Sequence, residues 1–143
     1  MTVKALLVAS AAALTLAACA PATPRISVSN GEIKTNRTVN VISGGTIAGN
    51  FMTALNPDCT LAGEYKIRVT QPPASGTVTI DRKHDFTSFA PMNPRSKCNT
   101  HRVPGSRIVY HAKAGFVGTD FYSVEIFMPN GAMVTDNVNV NVR

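Results

Sequence analysis

The chain has 143 residues, with 14 Lys and Arg against 8 Asp and Glu, a formal net charge of +6 and no Trp. After loss of an N-terminal leader that length holds one domain with one core, which leaves no room for a multidomain machine. The abundance of Val, Thr, Asn, Gly and Pro favours strands and turns over helices.

The first element is a leader. Met1 to Lys4 carries one positive charge, and Ala5 to Leu16 follows with no charge at all. A membrane-spanning helix needs roughly 20 apolar residues, so this run is too short to be an anchor and suits the core of a signal peptide over residues 1–18. Leu16-Ala17-Ala18-Cys19 resembles the lipobox of bacterial lipoproteins. The resemblance implies that Cys19 receives diacylglycerol, becomes residue one of the mature chain, and with Ala20 beside it is sorted to the outer membrane. Ordinary signal-peptidase cleavage is the alternative, and Pro21 makes that a poor substrate. Residues 19–25 read as a short extended tether before a domain spanning 26–143.

The domain reads as strands separated by turns. Ile26 to Ser29 leads to an Asn30-Gly31 hairpin signal, and Thr38 to Ile42 alternates before Gly44-Gly45. Thr46 to Asn56 is ambiguous between a strand and an irregular crossing. Glu64 to Thr70 alternates clearly, with Tyr65, Ile67 and Val69 on one face and Glu64, Lys66 and Arg68 on the other. Gln71 to Gly76 is a turn. Thr77 to Ile80 starts the next strand, which Phe86 to Ala90 resumes after a charged turn at Asp81-Arg82-Lys83. Pro91 to Gly105 is a long loop, followed by strands at Arg107 to Ala112, Asp120 to Met128 and Met133 to Arg143. Seven or eight strands with regular turns predict an all-β, antiparallel sandwich.

Cys59 and Cys98 remain once Cys19 is assigned to lipid. An even pair in an oxidising compartment predicts a disulfide closing a loop of 40 residues. A Cys/His metal site with His84 or His101 is the disfavoured alternative, and no metal or cofactor is expected.

The second half of the chain carries a more specific pattern. Pro73-Ala-Ser-Gly-Thr-Val-Thr-Ile80 and Tyr110, Gly115, Phe116, Gly118, Asp120, Tyr122 and Val124 resemble the bacterial Ig-like, cadherin-like repeat domains. Ala112 stands where those domains usually have Pro. The match covers about half of the chain, and its motif is structural. It implies an Ig-like sandwich of a class that adheres, spaces or binds glycans. The chain departs from those domains as a lone unit with a long basic insert.

That insert is the candidate binding patch. Residues 82–113 contain Arg82, Lys83, Arg95, Lys97, Arg102, Arg107 and Lys113 against one acid, Asp85, together with His84, His101 and His111. Clustered positive charge attracts polyanions, which in an envelope include lipopolysaccharide phosphates, anionic glycans and acidic protein faces. Nucleic acid is not an expected partner, because aromatic residues do not interleave with the basic ones. No paired-carboxylate, His-Glu-x-x-His or Gly-x-Ser-x-Gly motif appears, so no catalytic residue is assigned and the chain is not expected to be an enzyme. The resulting expectation is a lipid-anchored Ig-like binding or scaffold module of the cell envelope, working as a subunit of an envelope assembly or as an adhesion-type domain through sheet edges and the Cys98 loop. The alternative is a small periplasmic inhibitor or ligand-binding lipoprotein, for example one acting on a cell-wall hydrolase.

Overall fold

The computed structural model describes residues 24–29 and 32–143. The leader, Cys19, most of the tether and the Asn30-Gly31 turn lie outside them. The described residues form ten strands: β1 Arg25–Ser29, β2 Glu32–Val41, β3 Thr46–Ala48, β4 Ala54–Leu55, β5 Leu61–Gly63, β6 Lys66–Gln71, β7 Gly76–Phe86, β8 Arg102–Ala112, β9 Gly118–Phe127 and β10 Met133–Val142. The only helical element among them is a 3-10 turn at Ser96–Thr100. The count exceeds the seven or eight expected because the ambiguous stretch 46–56 holds two short strands and a third, Leu61–Gly63, follows it.

A five-stranded sheet, in the order β1-β2-β10-β9-β6, packs on a three-stranded sheet, β3-β8-β7, while β4 and β5 pair separately. All pairs are antiparallel except β2 with β10, which run parallel in register from Ile33↔Val134 to Val41↔Val142. The period-two alternation places Tyr122, Val124 and Ile126 of β9 and Val138, Val140 and Val142 of β10 against Ile108, Tyr110 and Ala112 of β8. Tyr110 and Tyr122 stack across the core with ring centroids 5.8 Å apart. The core-facing row of β10 is not wholly apolar. Asp136 occupies one of its places, buried, and accepts from Arg37 Nε at 3.0 Å and from Thr35 Oγ1 at 2.6 Å. The pairing with both partners offsets the desolvation that an isolated carboxylate would suffer there.

Several boundaries differ from the sequence expectation: β2 begins at Glu32 rather than Thr38, and no strand runs from Phe86 to Ala90. Asp81-Arg82-Lys83 is not a turn, because β7 runs unbroken to Phe86 with each residue paired in register to β8. The strand continues past the core, where both of its faces meet solvent or a cleft and charged side chains are tolerated. The long loop therefore spans 87–101 rather than 91–105, and β8 begins at Arg102. Pro104 fits inside β8 because its nitrogen points toward the β3 side, beyond the last pair on that side, Met52↔Ser106. Its carbonyl accepts from Thr53 Oγ1 at 2.8 Å.

That last pair defines a bulge. Ala48 pairs with Val109 and Met52 with Ser106, so Gly49, Asn50 and Phe51 face only Ile108 and Arg107. One extra residue turns the chain and re-aims its side chain. The Phe51 ring lands over Gly105, where any Cβ would also meet the Met52 carbonyl oxygen at 2.6 Å.

Candidate functional site

The most constrained surface feature is the loop from Thr87 to His101. Its first anchor is Asn99, whose Oδ1 accepts from Thr87 Oγ1 at 2.8 Å and from the Phe89 amide at 2.9 Å, while its Nδ2 donates to the Phe89 carbonyl at 2.9 Å. The second is the disulfide between Cys59 and Cys98, with Cα atoms 5.4 Å apart. Cys98 is completely buried and forms a second, small core with Leu55, Val103, Phe51 and Phe89. The third is Arg95, whose Nε donates to the Leu55 carbonyl. Cys59 has φ +71, a left-handed conformation that costs a non-glycine residue about 1–2 kcal/mol. The surrounding turn fixes it, with Cys59 N donating to the Asn56 carbonyl at 3.0 Å and Thr60 Oγ1 to Asp58 Oδ1 at 2.6 Å. Those bonds from Thr60 hold the Asp58 carboxyl below the usual carboxylate range. Against this bracing, Met92 at the loop's first turn is 97% exposed.

The candidate basic patch is divided by the fold. Lys83 lies 3.2 Å from Asp81 and 4.0 Å from Asp85, and Arg107 lies 3.2 Å from Asp85. The Phe86 amide and these cations hold the Asp85 carboxyl below its usual range despite partial burial. Arg107 also covers the Phe51 ring at 5.7 Å, and Arg102 covers Phe86 at 5.5 Å. Arg95 is committed to the loop. Lys113 follows Ala112 at the far end of β8, about 35 Å along the strand from Arg102. Arg82 and Lys97 are exposed and have no ion-pair partner within 4.0 Å among the described residues.

The histidines have separate settings. His111 is held between Thr46 Oγ1 at 3.1 Å and Thr79 Oγ1 at 3.2 Å on the outer face of the small sheet. His101 contacts Thr100 Oγ1 at the loop's end, and His84 is exposed on β7. Among the described residues no three His, Cys, Asp or Glu side chains converge on a metal position.

A cleft of about 190 Å³ opens between the β7–β8 end of the small sheet and the segment that leads from β5 into β6. Met52, Leu61, Tyr65 and Pro104 supply apolar walls, and Arg82 and His84 line it from β7, with Glu64 opposite. A shallower groove of about 520 Å³ runs past Phe51, Phe86 and Phe89 beside Arg107, whose Nε is buried without a hydrogen-bond partner. Sequence reasoning missed Phe51, Asn99 and Met92. The Pro91-Met92-Asn93-Pro94 turn was a readable sign of an exposed tip, whereas nothing local marks Asn99 as a clamp.

No family model matches the chain, and no curated protein is similar to it. Two solved structures are. Amebosin is 16% identical, over 74% of this chain and 88% of its own, with a TM-score of 0.42. PbICP-C, solved in complex with falcipain-2, is 14% identical, over 82% of this chain and 95% of its own, with a TM-score of 0.38. Superpositions this loose carry no argument about function. The fold itself defines the class: a small, disulfide-braced, all-β sandwich.

Proposed function

We propose that this chain is a non-catalytic binding domain, held at the outer membrane by lipid on Cys19, that recognises a protein partner through the loop between β7 and β8. The observation that carries the reading is the contrast within that loop. Asn99, the Cys59–Cys98 disulfide and Arg95 fix its backbone, yet Met92 projects fully into solvent. A pre-ordered loop loses little conformational entropy on binding, so an apolar side chain at its tip contributes most of its burial energy to affinity. The same contrast favours one form of recognition, insertion of the loop into a concave site on the partner, as an inhibitor of an envelope hydrolase would do. A scaffold subunit of an envelope assembly uses the loop as a flat contact instead.

The test has two parts. Palmitate labelling of cells should be lost in Cys19→Ala, and unchanged labelling refutes the anchor. Full-length chain should recover a stoichiometric partner from native membranes, and Met92→Glu should reduce that recovery at least tenfold. Equal recovery by both chains would refute the loop as the contact. A single soluble hydrolase as partner would support the inhibitor form, and a large detergent-extracted complex the scaffold form.

A further inference from the structure

The long strand β7 has a free edge. It pairs only with β8, and no other described strand lies beside it. The direction of its backbone groups follows from β8. Met52 exchanges hydrogen bonds with Ser106, Gly49 donates to the Ile108 carbonyl at 2.8 Å, and Ala112 donates to the Gly45 carbonyl at 2.9 Å. Even-numbered residues of β8 therefore point their amides and carbonyls toward β3, and odd-numbered ones toward β7. The register Gly105↔Lys83, Arg107↔Asp81 and Val109↔Thr79 then assigns the odd-numbered residues of β7 to the ladder. Val78, Ile80, Arg82 and His84 turn their N–H and C=O groups outward.

An unpaired row of this length is a template for another strand, and proteins commonly blunt such edges with Pro, bulges or inward charges. Here the edge borders the 190 Å³ cleft, so a strand added to it would place alternate side chains inside. Arg82, Lys83 and His84 line the cleft from β7 and Glu64 lines it too, and Arg82 has no ion-pair partner among the described residues. Ile80 stands two residues from Arg82 on the same face of β7 and is half-buried. An entering strand is thus offered a guanidinium for one side chain and apolar surface for the next one on the same face.

We propose that the β7 edge is a peptide-docking site that takes an extended segment carrying a carboxylate and an apolar side chain two residues apart. It rests on the reading of this chain as a binding domain and names a second contact, made of residues other than Met92. Backbone pairing supplies affinity that is independent of the peptide's sequence, and the Arg82–carboxylate pair with the Ile80 contact supplies selection.

The probe is an acetylated, amidated hexapeptide of sequence Val-Thr-Glu-Thr-Val-Thr, titrated into the isotopically labelled full chain in detergent. Amide shifts and slowed solvent exchange should appear at Val78, Ile80, Arg82 and His84. Replacing the peptide's glutamate with lysine should weaken binding roughly 10- to 100-fold, the range for losing a charged hydrogen-bonded pair. N-methylation of alternate peptide amides should abolish it. Arg82→Glu should reverse the preference between the two peptides. Arg82→Pro removes an outward N–H without touching the β8 ladder and should weaken both. Several outcomes would overturn the site: no shifts at about 1 mM peptide, shifts confined to other strands, or equal binding of the glutamate and lysine peptides. Concentration-dependent shifts of the same amides without peptide would assign the edge to a second copy of this chain and overturn it equally. Met92→Glu should leave the titration unchanged, so failure of the loop reading and failure of this one are told apart.

Discussion

The Tyr110 hydroxyl donates a 2.8 Å hydrogen bond to Asp120 Oδ2, and the pair ties β8 of the small sheet to β9 of the large one. The same carboxylate accepts from the amides of Ala74, Ser75 and Phe121 at 2.9, 3.0 and 2.9 Å. Asp120 thereby fastens the turn that carries the chain from one sheet to the other. Burial pushes its carboxyl upward, but the bonds from Phe121, Tyr110, Ala74 and Ser75 outweigh burial and hold it below the usual range. Burial and the neighbouring carboxylate push the Tyr110 hydroxyl well above its ordinary range, so it stays a donor.

Replacing that carboxylate should be among the most damaging single changes. Asp120→Asn turns an acceptor into an amide facing backbone donors and should destabilise by about 2–3 kcal/mol. Because the folded value lies below the unfolded one, near 3.8, the contribution is fully present above that pH. It is lost as pH falls through the folded value. Urea midpoints measured from about pH 6 down to about pH 2 should drop more steeply in the wild-type chain than in Asp120→Asn. Parallel curves would contradict this.

The disulfide supports one end of the molecule more than the other. Non-reducing mass analysis should find Cys59 joined to Cys98. Changing both to alanine should cost about 2–4 kcal/mol. Hydrogen exchange should quicken first in 51–59 and 87–103, with the Tyr110–Tyr122 core protected longest. Uniform loss of protection would argue against a separate second core.

Gly105 is fixed by space rather than by backbone angle. A methyl group there meets the Phe51 ring and the Met52 carbonyl, so Gly105→Ala should cost about 1–3 kcal/mol and displace the bulge. A thermal midpoint within a degree or so of wild type would show that Phe51 moves aside freely.

Charge reversal should separate two cations that look alike in the sequence. Arg95→Glu breaks the bond to the Leu55 carbonyl beside a buried core and should destabilise by about 1–3 kcal/mol. Lys97→Glu changes an exposed side chain and should stay within about 0.5 kcal/mol. Denaturant midpoints of the two variants decide it, and similar losses would count against the loop-bracing role.

Where one face meets core and the other water, the alternation was readable before any coordinates. Tyr65, Ile67 and Val69, and Val134, Val138, Val140 and Val142, all lie on the expected side. Asp120 accepts backbone hydrogen bonds, and Gly115 and Gly118 take positive φ. The Cys59–Cys98 disulfide is the pair expected once Cys19 is set aside. The errors fall where β7 and β8 run past the core. There Asp81, Lys83 and Asp85 compensate one another and Arg107, so a run of charge that read as a turn is a strand. The window that made the insert look strongly basic began just after Asp81, one of the acids that neutralise it. Asn99, Phe51 and the Asp136–Arg37 pair act through contacts distant in the chain, which no local pattern reports.

The large sheet is β1-β2-β10-β9-β6, so its middle strand is the one latest in sequence. Ile33 must find Val134, a hundred residues later, before β2 has a neighbour on its inner side. Pairings this distant form slowly, and none can form until β10 has left the ribosome. Until β10 is delivered, β2 and β9 lack the strand that joins them. The first nine strands, however far they have paired, leave the large sheet open along its middle.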